Sequence, residues 1–332
     1  MNTSTATSWR CGGTTISTES PLRAPATRRA PDFFIVGHHK SGTTALYEML
    51  RSHPQIYMPD IKEPRYFASD LRALLAPAPG TVPDTLDEYL ALFAAATPGQ
   101  RIGEASPSYL RSSAAAAAIA DVQPDARIIA IFREPASFLR SLHLHLLQEH
   151  VETESDFRKA FAGEEIVRHG RRVRRYSDHV HYVEQLRRFH AVFPHEQVLV
   201  LIYDDFRADN ATTIRRVLRF LGVDDTQPIE LREANPTARV RHVRLDHLIR
   251  AVAAGRGPVS TAVRATLRIL TSERLRRGVM HPIRRKLVYG EPPPPDEEFM
   301  QELRRLFKPE VVALGEYLGR DLVSLWSYEE LD

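Results

Sequence analysis

Apolar residues fall along the chain in short continuous runs separated by longer stretches of helical spacing. Phe33 to Val36 follow Asp32 and run into Gly37, which predicts a buried strand over Asp32–Gly37. Ala126–Phe132 and Gln197–Tyr203 read the same way, and Arg101–Ala105 predicts a shorter strand. Between these runs the period lengthens to that of a helix at Thr43–His53, Leu86–Ala96, Pro135 to about His150, about Ser177–Phe193 and about Asn210–Leu221, the last closed by Gly222. A serine-capped, alanine-rich helix is predicted from Ser113. A closing helix follows over Phe299–Leu318, with Leu303, Leu306, Phe307, Val311 and Leu314 on its buried face. Strand and helix alternate, so the fold class is α/β, with a central parallel sheet covered on both faces in three layers.

Other stretches break the pattern. Residues 1–30 are rich in Thr, Ser, Ala and Arg without an apolar period and are expected to form a disordered tail. The rest, 31–332, is expected to be one α/β domain. Arg-rich Glu164–Arg175 reads as an exposed loop, and the two prolines in Met58–Phe67 exclude a regular helix there. Arg239–Lys286 holds thirteen arginines and lysines against Asp246 and Glu273, with Leu245, Leu248, Ile249 and Val252 at helical spacing. That predicts a basic helical insertion or acceptor-side region over about 236–290, followed by a linker at Pro292–Pro295.

Composition narrows the class. The chain has 332 residues and a net charge of +3, so it is no polyelectrolyte, and it can bury a substantial core. A lone cysteine, Cys11, excludes an internal disulfide and fits a reducing compartment. With no run long enough to span a bilayer and no signal-peptide segment, a soluble, cytoplasmic protein is expected.

The chemistry concentrates after the first strand. Gly37 and Gly42 stand at the spacing of a phosphate-cradling Walker A loop, but Thr43 follows Gly42 where an ATPase needs lysine. The lysine has moved to Lys40, inside the loop, where it can reach the oxygen bridging a nucleotide to a transferred group. A nucleotide other than a triphosphate is favoured. At the end of the Ala126–Phe132 strand, where a nucleotide triphosphatase commonly puts an acid for Mg²⁺, stands Arg133, and two helical turns on comes Ser141. Both can hold an anion directly. The fourteen histidines, including His38, His39, His143 and His145, form no persuasive zinc set.

Lys40-Ser41-Gly42-Thr43-Thr44-Ala45-Leu46 after an apolar strand resembles the 5′-phosphosulfate loop of sulfotransferases that use 3′-phosphoadenosine-5′-phosphosulfate (PAPS), particularly their heparan-sulfate branch. Arg133 and Ser141 match the family's 3′-phosphate motif in type and spacing. The resemblance implies a P-loop NTPase-like fold and a donor site of Lys40, Ser41, Gly42, Thr43, Thr44, Arg133 and Ser141. It implies catalysis by Lys40 and by Glu63, within Lys62-Glu63-Pro64-Arg65-Tyr66-Phe67, as general base; Glu104 and His38 are alternative bases. Tyr176 corresponds to a region that touches adenine in the family. Relatives often carry lysine where Ala105 stands, which leaves the acceptor geometry open. The implied acceptor is a hydroxyl of a small molecule, glycan or lipid, the implied product 3′,5′-diphosphoadenosine, and no metal is called for. The family's Golgi members carry a membrane anchor of a kind not found here. Alternatives are a P-loop small-molecule kinase and a basic protein binding nucleic acid or a membrane surface. Aromatics for base stacking are nearly absent from the basic stretch, so no nucleic acid is expected, while contact with an anionic membrane fits.

Overall fold

The computed structural model of the chain describes residues 29–72, 82–149, 151–163, 166–168, 171–174, 176–230, 239–240, 289–290 and 292–330. Nearly all of the expected tail and basic region lie outside them. A five-stranded parallel sheet forms the centre, with strands β1 (Phe33–Gly37), β2 (Ile56–Tyr57), β3 (Arg101–Ala105), β4 (Arg127–Phe132) and β7 (Val198–Ile202) in the order β2-β3-β1-β4-β7. This is the expected P-loop NTPase-like α/β arrangement. Helices α1 (Thr43–Arg51), α2 (Leu86–Ala91), α3 (Ser108–Arg111), α4 (Ala115–Val122), α5 (Pro135–Gln148), α6 (Phe157–Ala162) and α7 (Tyr182–His190) precede β7. After it come α8 (Tyr203–Ala208), α9 (Asn210–Leu221), α10 (Glu297–Leu318) and α11 (Leu322–Leu325).

The central strands are apolar throughout because both faces are covered. Phe34 and Val36 of β1 join Ile128, Ala130 and Phe132 of β4 in a core with α4, α5, α7 and α10. Phe33 and Ile35 turn the other way, with Ile129 and Ile131, towards α1 and α9. The second face is packed closely where β3 passes β1. A Cβ at Gly103 would fall 2.1 Å from Phe33 Cζ and 2.4 Å from Met58 Sδ. Gly103→Ala should therefore lower stability by about 1–3 kcal/mol through overpacking, read from urea unfolding; an unchanged midpoint would mean that Phe33 and Met58 repack freely.

Several boundaries differ from expectation for identifiable reasons. Glu164–Arg175 holds an antiparallel hairpin, β5 (Ile166–Arg168) with β6 (Arg171–Arg174), because backbone pairing overrides its charge pattern. The alanine-rich helix lacks the expected serine cap: its N-cap is Ala114, the Ser112 hydroxyl accepts from Ala114 N–H and Ala115 N–H in the turn before it, and Ser113 turns to Asp70. Ser177–Phe193 begins as a 3-10 turn and becomes α-helical only at Tyr182. Asp296 caps α10 through Phe299 N–H and so starts that helix at Glu297. Of the basic stretch, only Arg239–Val240 (β8), paired with Tyr289–Gly290 (β9), is described.

Candidate active site

The parallel strands end along one edge of the sheet, and the candidate residues other than Tyr176 and Glu104, which lies on β3, are on the turns and helices that leave it. From β1 the chain turns back at His38, whose carbonyl accepts Ser41 N–H at 3.3 Å. Lys40 (φ 67°) and Gly42 (φ 87°) both adopt left-handed backbone to bring the chain into α1. An added Cβ at Gly42 would also press on the Phe206 ring at 3.1 Å. No side chain caps α1, and its first helical bond is Leu46 N–H to Gly42 carbonyl, which leaves the N–H groups of the first turn for an outside acceptor. Ser41 Oγ is buried there without a partner. Uncapped donors, a helix dipole and an orphaned hydroxyl fit a phosphate or sulfate group. Thr43 is buried in the first turn and Thr44 is exposed beside it.

Arg133 is fixed against this loop from three sides. Its Nη1 donates to the Lys40 carbonyl at 2.8 Å, its guanidinium lies 4.7 Å from the centre of the Tyr203 ring, and its own carbonyl accepts from Tyr182 OH at 2.9 Å. Burial, then the charge of Arg133, lowers the pKa of the Lys40 ammonium. Two cations thus share one partly buried place, and a bound anion would relieve their repulsion. Ser141 is buried on the second turn of α5, the helix that starts beside Arg133.

Glu63 sits on the loop after β2, in left-handed backbone (φ 61°), and so does Arg65 (φ 55°). Such residues cost on the order of 1–3 kcal/mol each and persist only where neighbours hold them. Here alternate N–H groups of the loop are held by the turn after β3: Glu63 to the Ala105 carbonyl at 3.1 Å, Arg65 to Ser106 Oγ at 3.1 Å, and Phe67 to Tyr109 OH at 3.3 Å. The Glu63 carboxylate accepts from Lys62 Nζ at 2.6 Å and Arg65 Nη2 at 2.5 Å, and His39 Nδ1 stands 3.9 Å away. Burial alone would raise its pKa, but these neighbouring groups outweigh it and hold the carboxyl well below the usual range. His39 is itself lowered to about 3 by burial, so it is neutral, and Lys62 and Arg65 carry the effect. The His39 ring stacks on His145 at 5.9 Å, and His145 feels the charges of both Lys40 and Glu63, which puts the loop between β1 and α1 and Glu63 in one neighbourhood.

The alternative bases are enclosed. His38 packs against Phe138 and Tyr182, and its Nε2 pairs with Gln185 Oε1 at 2.9 Å. Burial lowers it to about 3. Glu104 has no exposed surface, and one oxygen accepts from both Tyr89 OH and Tyr109 OH at 2.9 Å. Tyr176 is 1% exposed among Phe157, Phe161 and His143, its hydroxyl paired with His143 Nδ1 at 2.9 Å and Glu152 at 3.1 Å. Burial there pushes its phenol well above the ordinary range.

The chain after α10 braces the same edge from behind. Arg320 pairs with both oxygens of Asp205, Trp326 Nε1 donates to Asp204 at 2.9 Å, and Tyr328 OH donates to Glu134, the residue after Arg133. Glu134 in turn caps α5 through Ala136 N–H and Ser137 N–H. Sequence reading missed these supports, and with them His39, Tyr182 and Tyr203. Lys62 and Arg65 were visible in the motif but carried no signal of pairing with Glu63.

Among the described residues no helix is long and apolar enough to cross a membrane. A family model described as "Sulfotransferase family" matches residues 31–90 and 81–227. Heparan sulfate glucosamine 3-O-sulfotransferase 6 of Mus musculus is 35% identical over 113 residues, 34% of this chain and 30% of the relative. Heparan sulfate glucosamine 3-O-sulfotransferase 3A1 of the same organism is 28% identical over 200 residues, covering 59% and 47%. The chain thus spans less than half the length of these curated relatives. A solved sulfotransferase from Alicyclobacillus acidocaldarius superposes with a TM-score of 0.63 and 26% identity over 90% of this chain and 99% of its own. The family model covers more than half of the sequence, and the chain belongs to the sulfotransferase family.

Proposed function

We propose that the chain transfers a sulfuryl group from PAPS to a hydroxyl of a small-molecule, glycan or lipid acceptor. The observation that carries this reading is the pairing of an uncapped, lysine-containing loop with an arginine bonded to that lysine's own carbonyl. The loop N–H groups and Ser41 would hold the 5′-phosphosulfate, and Arg133 with Ser141 the 3′-phosphate. In the transfer the acceptor oxygen bonds to sulfur as the bond from sulfur to the 5′-phosphate oxygen breaks. Lys40 stabilises the charge gathering on that oxygen. Glu63 takes the hydroxyl proton, and its weak basicity suffices because the acceptor oxygen turns acidic as it bonds to sulfur. The names of the curated relatives favour a glycan acceptor.

Calorimetric titration with 3′,5′-diphosphoadenosine in EDTA, beside ATP with Mg²⁺, tests the donor site. Metal-free binding that weakens about 10–100-fold in Arg133→Ala is the expected result, the size of one or two charge-assisted hydrogen bonds. Binding of ATP with Mg²⁺ alone would replace this reading with the kinase.

A further inference from the structure

Glu104 is a fully buried carboxyl for which the transfer step has no use. It projects from β3 into a box of rings: Tyr89 stacks on Tyr66 at 4.8 Å, Phe67 meets Tyr89 at 5.0 Å and Tyr109 at 6.0 Å, and Phe34 closes the floor at 5.9 Å from Phe67. An acceptor cannot reach it there. A tyrosine hydroxyl has one proton. Tyr109 gives that proton to Glu104 Oε2, so the lone pairs of its oxygen face away from the carboxylate, and one of them receives Phe67 N–H. Phe67 is the last of the three alternate N–H groups that hold the loop in its left-handed course past Glu63 and Arg65.

We propose that Glu104 is a positioning residue: through Tyr109 its carboxylate polarises and orients the hydrogen bond to Phe67 N–H and so fixes the loop that presents Glu63. The assignment rests on the reading of Glu63 as the base, but the loop contact it describes exists whatever the reaction. Hydrogen bonds to a carboxylate are about twice as strong as those to its neutral acid, so protonating Glu104 weakens the chain of bonds from its anchored end. The groups facing it are Tyr89 from α2, Tyr109 from α3, Ser106 from the turn after β3 and the charge of Glu63 from the loop. Both phenols are pushed well above their ordinary range, first by burial and then by Glu104 itself, so neither titrates near neutrality. Burial raises Glu104 to about 7 against the pull of its hydroxyl donors.

The test is amide hydrogen exchange of the full-length protein, followed on a peptide covering 62–68 from pH 8.5 to 6 and corrected for intrinsic rates. Protection of this peptide should fall about threefold or more below pH 7 in the unaltered protein. Glu104→Gln should keep the lower level at every pH, and Tyr109→Phe, which keeps the ring, should lose protection about tenfold throughout. Affinity for 3′,5′-diphosphoadenosine, measured alongside, should stay within twofold. Turnover, where an acceptor is in hand, should fall in kcat with KM for the donor unchanged. Protection that does not depend on pH and is unchanged in a folded Tyr109→Phe variant would overturn the proposal. Failure to bind 3′,5′-diphosphoadenosine would overturn the donor reading and leave the exchange result to be judged by itself.

Discussion

Lys40→Ala should lower kcat by about 10²–10³-fold in a sulfuryl-transfer assay, the range seen when one preorganised donor to developing negative charge is removed. The effect falls on kcat because the charge Lys40 meets is larger in the transition state than in the bound donor. Binding of 3′,5′-diphosphoadenosine should weaken less, since the backbone donors of α1, Ser41 and Arg133 stay in place. A conservative Lys40→Arg change should rescue little, because a broad planar guanidinium does not place a compact charge at one oxygen as an ammonium does and would crowd the Arg133 guanidinium beside the loop. A Lys40→Ala variant within tenfold of the parent would place the charge stabilisation elsewhere.

Glu63→Gln should cost about 10²–10⁴-fold in kcat if this carboxylate accepts the proton. The variant also leaves Lys62 and Arg65 without their shared anion, so affinity for the anionic donor should hold or tighten, which separates lost chemistry from lost binding. The pH profile adds a second check. The folded Glu63 pKa is depressed, so its carboxylate stays ionised as pH falls from 8 to 5 and contributes no acid limb in that window. If Glu104 positions the loop as proposed, a fall in rate on acidification through pH 7 should appear in the parent and be absent in Glu104→Gln, since burial raises Glu104 to about 7. A loss of less than tenfold in Glu63→Gln would shift the proton transfer to the neighbouring His39 or His145.

The loop between β1 and α1 was legible because its signature is contiguous: strand, turn glycine, lysine and helix start follow one another with no tertiary partner needed. Arg133 and Ser141 were legible because a strand end and a helical spacing place them. Their supports were not, since Arg133 reaches the Lys40 carbonyl across 93 residues and His38 reaches Gln185 across 147. No local pattern encodes such pairs. Glu63 could be named from its motif, but the cations that hold its basicity down act through side-chain geometry. Glu104 could be named as an alternative base from its segment, but its enclosure by Tyr89 and Tyr109, which come from two different helices, is set by tertiary packing and has no local signature. The arginine-rich hairpin misled in the opposite sense, since charge along a strand says nothing about the strand beside it.

The brace behind Arg133 also sets an order of events during synthesis. Glu134 and Tyr328 are 194 residues apart in the chain, and the Asp204 and Asp205 contacts likewise wait for Trp326 and Arg320. A ribosome adding about 5–20 residues per second needs some tens of seconds to cover that distance, during which β1, β4 and β7 can already have emerged and paired. The central sheet can therefore pair before the contacts behind Arg133 are complete. The loop after β1 and the Arg133 bond to its Lys40 carbonyl need only the N-terminal half of the chain, whereas the brace through Glu134, Asp204 and Asp205 is added when synthesis ends.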